Sequence, residues 1–192
     1  MRRLEVNYSL NAIDVLVSIS RYNFVNRTFN NKEAKVLDFG CGTGYGTKVL
    51  REHFHQVDAF DLVDEKDLGV SEARGIITDL DKLKNNEYDV VTCFEVIEHL
   101  DEPTQHDLMR RLRNLLKPNG VLYISTVRKM DPPPTENRKI EHIRELSYKE
   151  LLAFCEGSFH NVFTFGQIDQ NISTFYHDNM YHFVFICSGP KA

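Results

Sequence analysis

The segment Val36-Leu37-Asp38-Phe39-Gly40-Cys41-Gly42-Thr43-Gly44 decides the fold. It reads as a buried strand running into a turn that only glycines make tightly, followed by the amino terminus of a helix, so that a ligand can lie against bare backbone. Two common nucleotide motifs fail here. A dinucleotide fingerprint needs glycines at relative positions one, three and six, but counted from Gly40 the sixth place is Tyr45, and from Gly42 it is Thr47. A phosphate-cradling loop needs Gly-Lys-Ser/Thr, and Lys48 follows Thr47 rather than a glycine.

Outward from this turn, apolar runs of strand length alternate with helix-like stretches, the pattern of a mainly parallel sheet covered on both faces. Strands are expected at Lys35–Phe39, Gln56–Leu62, Gly75–Thr78, Tyr88–Phe94, Val121–Thr126, Asn161–Phe165 and Tyr181–Cys187. Helices are expected at Ser9–Ser20, ahead of the first strand, and at Thr43–Phe54, behind the turn. From Pro103 to Lys117, Leu108, Leu112, Leu115 and Leu116 fall on one helical face, and Lys117-Pro118-Asn119-Gly120 stops the run. Ser147 and Glu150 form a capping box at the start of another helix.

No convincing helix lies between the last two strands, across Gly166–Met180, so they should pair antiparallel. The fold class is therefore α/β, a Rossmann-like seven-stranded sheet, mostly parallel with an antiparallel final strand. Residues 1–192 read as one domain, with an N-terminal helical segment over 1–34. The connection Val127–Leu146 is long and polar and contains Pro132-Pro133-Pro134, as expected of a mobile substrate lid.

Bulk properties narrow the function. With 42% hydrophobic and 27% charged residues the chain has an ordinary globular composition, and neither a signal-peptide pattern nor a membrane-spanning run is apparent, so a cytoplasmic location without membrane insertion is expected. The net charge of −5 argues against a long nucleic-acid footprint, which draws its affinity from clustered Lys and Arg. Cys41, Cys93, Cys155 and Cys187 are scattered singly and read as reduced thiols. Arg110, Arg111, Arg113 and Lys117 read as a solvated helix face. His53, His55, His106, His160, His177 and His182 have no ligand-like partners in sequence and read as structural. Oligomeric state is not legible.

Acidic residues accompany the glycine turn: Asp38 within it, Asp61 at the end of the second strand, Asp79 after the third. They suit an aminoacyl nucleoside, with Asp61 accepting from the ribose hydroxyls and Asp79 from the adenine amine. The motif Asp-x-Gly-x-Gly-x-Gly of Asp38, Gly40, Gly42 and Gly44 resembles the first motif of class I S-adenosylmethionine-dependent methyltransferases, and Lys117-Pro118-Asn119-Gly120 resembles their Lys-Pro-Gly-Gly turn. The resemblance implies S-adenosylmethionine as cofactor, bound by Asp38, Gly40, Cys41, Gly42, Gly44, Asp61, Leu62, Asp79, Leu80 and Glu95. One departure is the short stretch Val63–Arg74, which leaves little room for the usual second helix.

The fourth strand runs into Glu95-Val96-Ile97-Glu98-His99. If a helical turn begins at Glu95, then Glu95, Glu98 and His99 share a face. Two carboxylates and an imidazole can bind one divalent ion, and His142 in the long connection is available as a fourth ligand. The segment resembles small-RNA 2′-O-methyltransferases and ubiquinone-pathway O-methyltransferases, whose Glu-x-x-Glu-His and later His are associated with a divalent metal. Manganese, magnesium, cobalt, iron and zinc are all candidates. The alternative is metal-free: Glu95 faces the cofactor's amino end, His99 acts as an unaided general base, and Glu98 is a solvated helix residue. The first acceptor expected is a diol-bearing sugar or glycan, the second an RNA-terminal ribose or a catechol. A reading of another class is a non-catalytic module that holds S-adenosylmethionine for a partner chain.

Overall fold

The computed structural model describes residues 12–62, 75–174 and 180–191. In chain order the elements are α1 (Ala12–Thr28), β1 (Lys35–Phe39), α2 (Tyr45–Arg51), β2 (Gln56–Phe60), β3 (Tyr88–Phe94), α3 (Glu102–Leu115), β4 (Leu116–Val127), α4 (Glu136–Glu141), α5 (Tyr148–Ser158), β5 (Phe159–Ile168), β6 (Asn171–Ser173) and β7 (His182–Pro190). Short 3₁₀ turns lie at Leu80–Lys82 and Ile97–His99.

The strands form one sheet in the order β2-β1-β3-β4-β7-β5-β6. The first four are mutually parallel, β7 runs antiparallel to both β4 and β5, and β6 folds back on β5 as a hairpin. Alternate residues along the central strands serve opposite faces. Leu37 and Val91 pack with Leu108, Leu112 and Leu151 from α3 and α5, whereas Val36 and Val90 pack with Tyr22, Val25 and Leu50 from α1 and α2. The expected Rossmann-like layering follows from that division.

Local chemistry sets the helix ends. Asp101 accepts the Thr104 amide at 3.0 Å to cap α3, and Ser147 and Glu150 make the expected capping box of α5. α2 starts at Tyr45 rather than Thr43, because Gly44 sits in the left-handed region at φ 84°. α1 extends eight residues past the expected end at Ser20, closing at Thr28, while the start of that expected helix, Ser9–Asn11, lies outside the described residues.

The expected strand Gly75–Thr78 contracts to a single bridge, Phe60 to Ile77. A left-handed Gly75 (φ 74°) precedes it, and Asp79 caps the following 3₁₀ turn, leaving no extended run to propagate a ladder. The seventh strand is instead β6, within the stretch expected to be loop. Lys117-Pro118-Asn119-Gly120 forms a bulge, the register passing from Tyr88–Leu116 directly to Val90–Val121. The stretch Val63–Arg74 lies outside the described residues, and no helix among the described residues is long and apolar enough to cross a membrane.

Candidate active site

At the carboxyl end of β1 the amides of Gly40 and Cys41 both donate to the Phe60 carbonyl, at 2.8 and 3.0 Å, folding the chain sharply under β2. Gly40 has φ 79°, and a Cβ there would sit 2.3 Å from Val96 Cγ2. Gly42, at φ 55°, would meet nothing within 4 Å. Its open side belongs to a cavity of about 1280 Å³ that runs past Gly40, Cys41, Gly42 and Thr43, Asp61, Leu62 and Leu80 to Glu95, Glu98, His99 and His142.

Asp61 is buried at this wall, where its Oδ2 accepts the Gly42 amide at 2.8 Å. Asp38 lies beneath the turn rather than in the cavity wall, and it accepts from Thr47 (2.6 Å), Thr92 (2.8 Å) and Tyr22 (3.4 Å). Burial pushes its carboxyl up to about 6, with the three hydroxyl bonds opposing. Two other expected residues do not line the cavity. Asp79 is exposed and accepts the Asp81 amide at 3.0 Å, next to the lining residue Leu80; Gly44 caps α2.

The chain leaving β3 does not begin a helical turn at Glu95. Glu95 is left-handed (φ 55°), the 3₁₀ turn starts at Ile97, and the three side chains therefore do not share a face. Glu95 accepts from Ser125 Oγ at 2.7 Å and faces His182 Nε2 at 3.4 Å. Burial opposes its charge, but His182, the Arg21 guanidinium and the Ser125 hydroxyl outweigh that cost and hold its carboxyl below the ordinary range.

Glu98, far from being a solvated helix residue, is buried and accepts from Thr126 Oγ1 at 2.9 Å. Burial, then the Glu95 charge, pushes its carboxyl well up. His99 Nδ1 meets the Glu141 carbonyl at 2.8 Å, and His142 Nδ1 meets Glu145 Oε1 at 2.6 Å. Burial keeps the His99 imidazole below its usual range, with the Glu141 carbonyl opposing. One ligand atom from each of Glu98, His99 and His142 lies within 4.8 Å of the others. The sequence pattern named four residues; three of them fall within 4.8 Å of one another, and Glu95 acts on them through its charge from outside that group.

The connection from Arg128 to Leu146 is a strap containing α4, not a featureless loop. Arg138 is buried beneath it, donating to Glu145, to the Tyr181 hydroxyl at 2.8 Å and to the Arg128 carbonyl. The strap docks on the turn that carries Glu98. Arg144 N donates to the Glu98 carbonyl at 3.1 Å, and Gln105 Nε2 bridges the Ile97 and Arg144 carbonyls at 2.9 Å each.

Sequence reading missed the opposite wall. Ser18, Arg21 and Tyr22 of α1, together with Tyr181 and His182 at the start of β7, line the same cavity. Arg21 is buried and donates to Gln167 Oε1 at 2.9 Å. Burial presses the His182 imidazole down to about 4 against the pull of Glu95. No local signal marks these residues: Arg21 follows the expected helix end by one position, and His182 sits in an alternating apolar run.

A family model described as a methyltransferase domain matches residues 19–168, most of the chain. The chain belongs to the methyltransferase domain family. Its fold is the class I fold, and the donor of that class is S-adenosylmethionine. Among curated relatives, a protein named ubiquinone biosynthesis O-methyltransferase from Xanthomonas oryzae pv. oryzae is 32% identical over 119 residues, 56% of this chain and 48% of the relative. One of the same name from Leptothrix cholodnii is 29% identical over 121 residues, 56% of this chain and 50% of the relative. The methyltransferase domain described here thus spans about half the length of the curated relatives it matches. Among solved structures, a methyltransferase from Archaeoglobus fulgidus superposes with a TM-score of 0.68 at 17% identity, over 92% of this chain and 94% of the other. The 1,6-didemethyltoxoflavin-N1-methyltransferase of Burkholderia thailandensis, solved with S-adenosylhomocysteine, superposes at 0.63 and 18% identity over 99% of each chain.

Proposed function

We propose that this methyltransferase domain transfers the methyl group of S-adenosylmethionine to one hydroxyl of a vicinal diol, with a divalent metal held by Glu98, His99 and His142. The observation that carries the reading is that these three side chains converge in the same cavity as the glycine turn.

The residues fit the donor. Gly42 leaves the turn open for a ligand against backbone, Asp61 is placed to accept from ribose hydroxyls, and Leu62 and Leu80 offer apolar surface to a base. Glu95, which lies outside the group of three and in the field of His182 and Arg21, is the residue we assign to the charged amino-acid end.

The residues also fit a metal. Glu98 is a buried carboxylate whose charge is costly without a cation beside it. The two imidazoles each give Nδ1–H to an oxygen, which leaves Nε2 as the ligand nitrogen. Carboxylate with neutral imidazole suits manganese, iron, cobalt or zinc better than magnesium. Such an ion, when bound there, would lower the pKa of an acceptor hydroxyl brought to it. The protein's own contribution is to bind, to align acceptor and donor, and to exclude water.

Ile13, Val17, Ile168 and Tyr181 also line the cavity. That apolar surface favours a ring diol of the catechol kind over a sugar, in keeping with the name borne by the curated relatives. The converging ligands argue against a non-catalytic holder of the donor. The test is production of S-adenosylhomocysteine in a metal-supplemented screen of catechols, sugars and nucleosides. Turnover restricted to vicinal diols supports the reading; turnover on monohydroxyl analogues at the same rate, or none on any diol, overturns it.

A further inference from the structure

Glu145 stands outside the cavity that holds the three ligands, yet its carboxylate is the acceptor for His142 Nδ1 at 2.6 Å. The same carboxylate is gripped by Arg138, whose Nε reaches Oε1 and whose Nη2 reaches Oε2 at 3.0 Å. Both partners of this ion pair are buried, Arg138 and Glu145 retaining 7% and 9% of their side-chain exposure. A buried guanidinium and carboxylate are expensive to desolvate, and a purely apolar contact would close the strap at lower cost. What the pair supplies that an apolar contact does not is a charged acceptor at one fixed place beside an imidazole.

The geometry points to Glu145, clamped by Arg138, as the positioning residue that sets the His142 ring, so that Nε2 faces Glu98 and His99. The inference rests on the metal reading given above and extends it to residues that touch neither the cavity's ligands' metal-facing atoms nor the donor turn. A carboxylate on the far nitrogen fixes the tautomer with the lone pair on Nε2 and stops the ring from rotating. His99 is set differently, by the backbone carbonyl of Glu141. Both imidazoles are thus oriented from the strap, one by a side chain that substitution can change and the other by backbone that it cannot. Arg138 has a second task that separates the two residues: it also holds Tyr181 and the Arg128 carbonyl, so its removal disturbs the strap as a whole. Glu145 touches less of the strap, accepting beyond Arg138 and His142 the Met130 amide at 3.2 Å.

The experiment uses the full chain and reads manganese(II) binding through the loss of the free-ion electron paramagnetic resonance signal. S-adenosylmethionine affinity by calorimetry and urea unfolding without metal are followed in parallel. The variant Glu145→Gln keeps the shape and an oxygen acceptor for His142 but loses the charge. It is expected to weaken manganese binding by about 10- to 100-fold, the usual cost of losing an outer carboxylate, while donor affinity stays close to the parent and metal-free stability falls because the buried Arg138 loses its counter-charge. Glu145→Ala, if folded, should weaken the ion at least as much, and His142→Ala more. If the parent binds manganese and Glu145→Gln binds it equally well, the positioning role is overturned while the metal reading stands. If the parent does not bind manganese, nor cobalt or zinc competing for the same site, the metal reading itself falls and takes this inference with it.

Discussion

Asp61 Oδ2 receives the Gly42 amide at 2.8 Å, so the acidic end of β2 and the open glycine of the turn are one unit. Replacing Asp61 by Ala removes both a place for the ribose and the brace on the turn. S-adenosylmethionine affinity should fall by about one to two orders of magnitude, since a charge-assisted contact is worth roughly 1.5–3 kcal/mol. Calorimetry on the folded variant decides it, and unchanged affinity would remove Asp61 from the donor site.

Gly40→Ala should be damaging for two separable reasons: the left-handed backbone at φ 79° and the overlap with Val96 Cγ2 at 2.3 Å. The expected loss of stability is about 1–3 kcal/mol. Introduced into a Val96→Ala background, the same change should cost only the backbone part, about 1 kcal/mol. Urea unfolding of the four proteins in the cycle measures it, and equal costs in the two backgrounds would refute the overlap.

Exhaustive chelation should abolish turnover, and manganese or cobalt should restore it. His142→Ala should impair metal-supported turnover while leaving donor affinity nearly intact, the reverse of the Asp61 change. Activity that survives chelation would return His99 to the role of an unaided base.

Asp38 carries a pH signature. Its folded value of about 6 lies above the usual carboxyl value of 3.8, so the folded state holds the proton more tightly than the unfolded chain. Stability from this group is fully present below the unfolded value and is lost as pH rises through about 6. At about 1.4 kcal/mol per pH unit of displacement, the loss is bounded at roughly 3 kcal/mol. Asp38→Asn lacks that loss and should gain on the parent between pH 4 and 7, as followed by urea unfolding; a constant difference across the range would contradict it.

The strap tests the expectation of a mobile lid. Arg144 gives its amide to the Glu98 carbonyl at 3.1 Å, and His142 gives its own to Arg138 at 2.9 Å. These two amides should exchange slowly with solvent, whereas those of Asp131 and Thr135, on either side of Pro132-Pro133-Pro134, should exchange fast. Rapid exchange at Arg144 would restore the open lid.

The alternation of strands and helices was legible because period and caps are local: the turn at Gly40, the cap at Ser147 and the apolar stripe through Leu108 and Leu112 each announce themselves within a few residues. The marginal strand at Gly75–Thr78 was not legible as marginal, since its loss depends on the left-handed Gly75 and on the Asp79 cap. Within the site, Glu98, His99 and His142 could be named from spacing, but Glu95 was grouped with them by assuming helical φ at a residue that adopts 55°. Arg21 and His182 were beyond reach, because only the folded sheet brings α1 and the start of β7 across from β3. In the sequence nothing sets Arg138 apart from the other charges of the connection. Its burial is a property of the docked strap.

Tyr22 donates to Asp38 and lies so close over α2 that a Cβ on Gly46 would fall 1.9 Å from its ring. The segment ahead of the first strand is therefore keyed into the helix behind the donor turn, and Arg21 beside it forms cavity wall. A version of this chain shortened to begin at Lys35 would retain every strand of the sheet, yet it would offer its ligand a trough stripped of the wall that Val17, Ser18, Arg21 and Tyr22 supply.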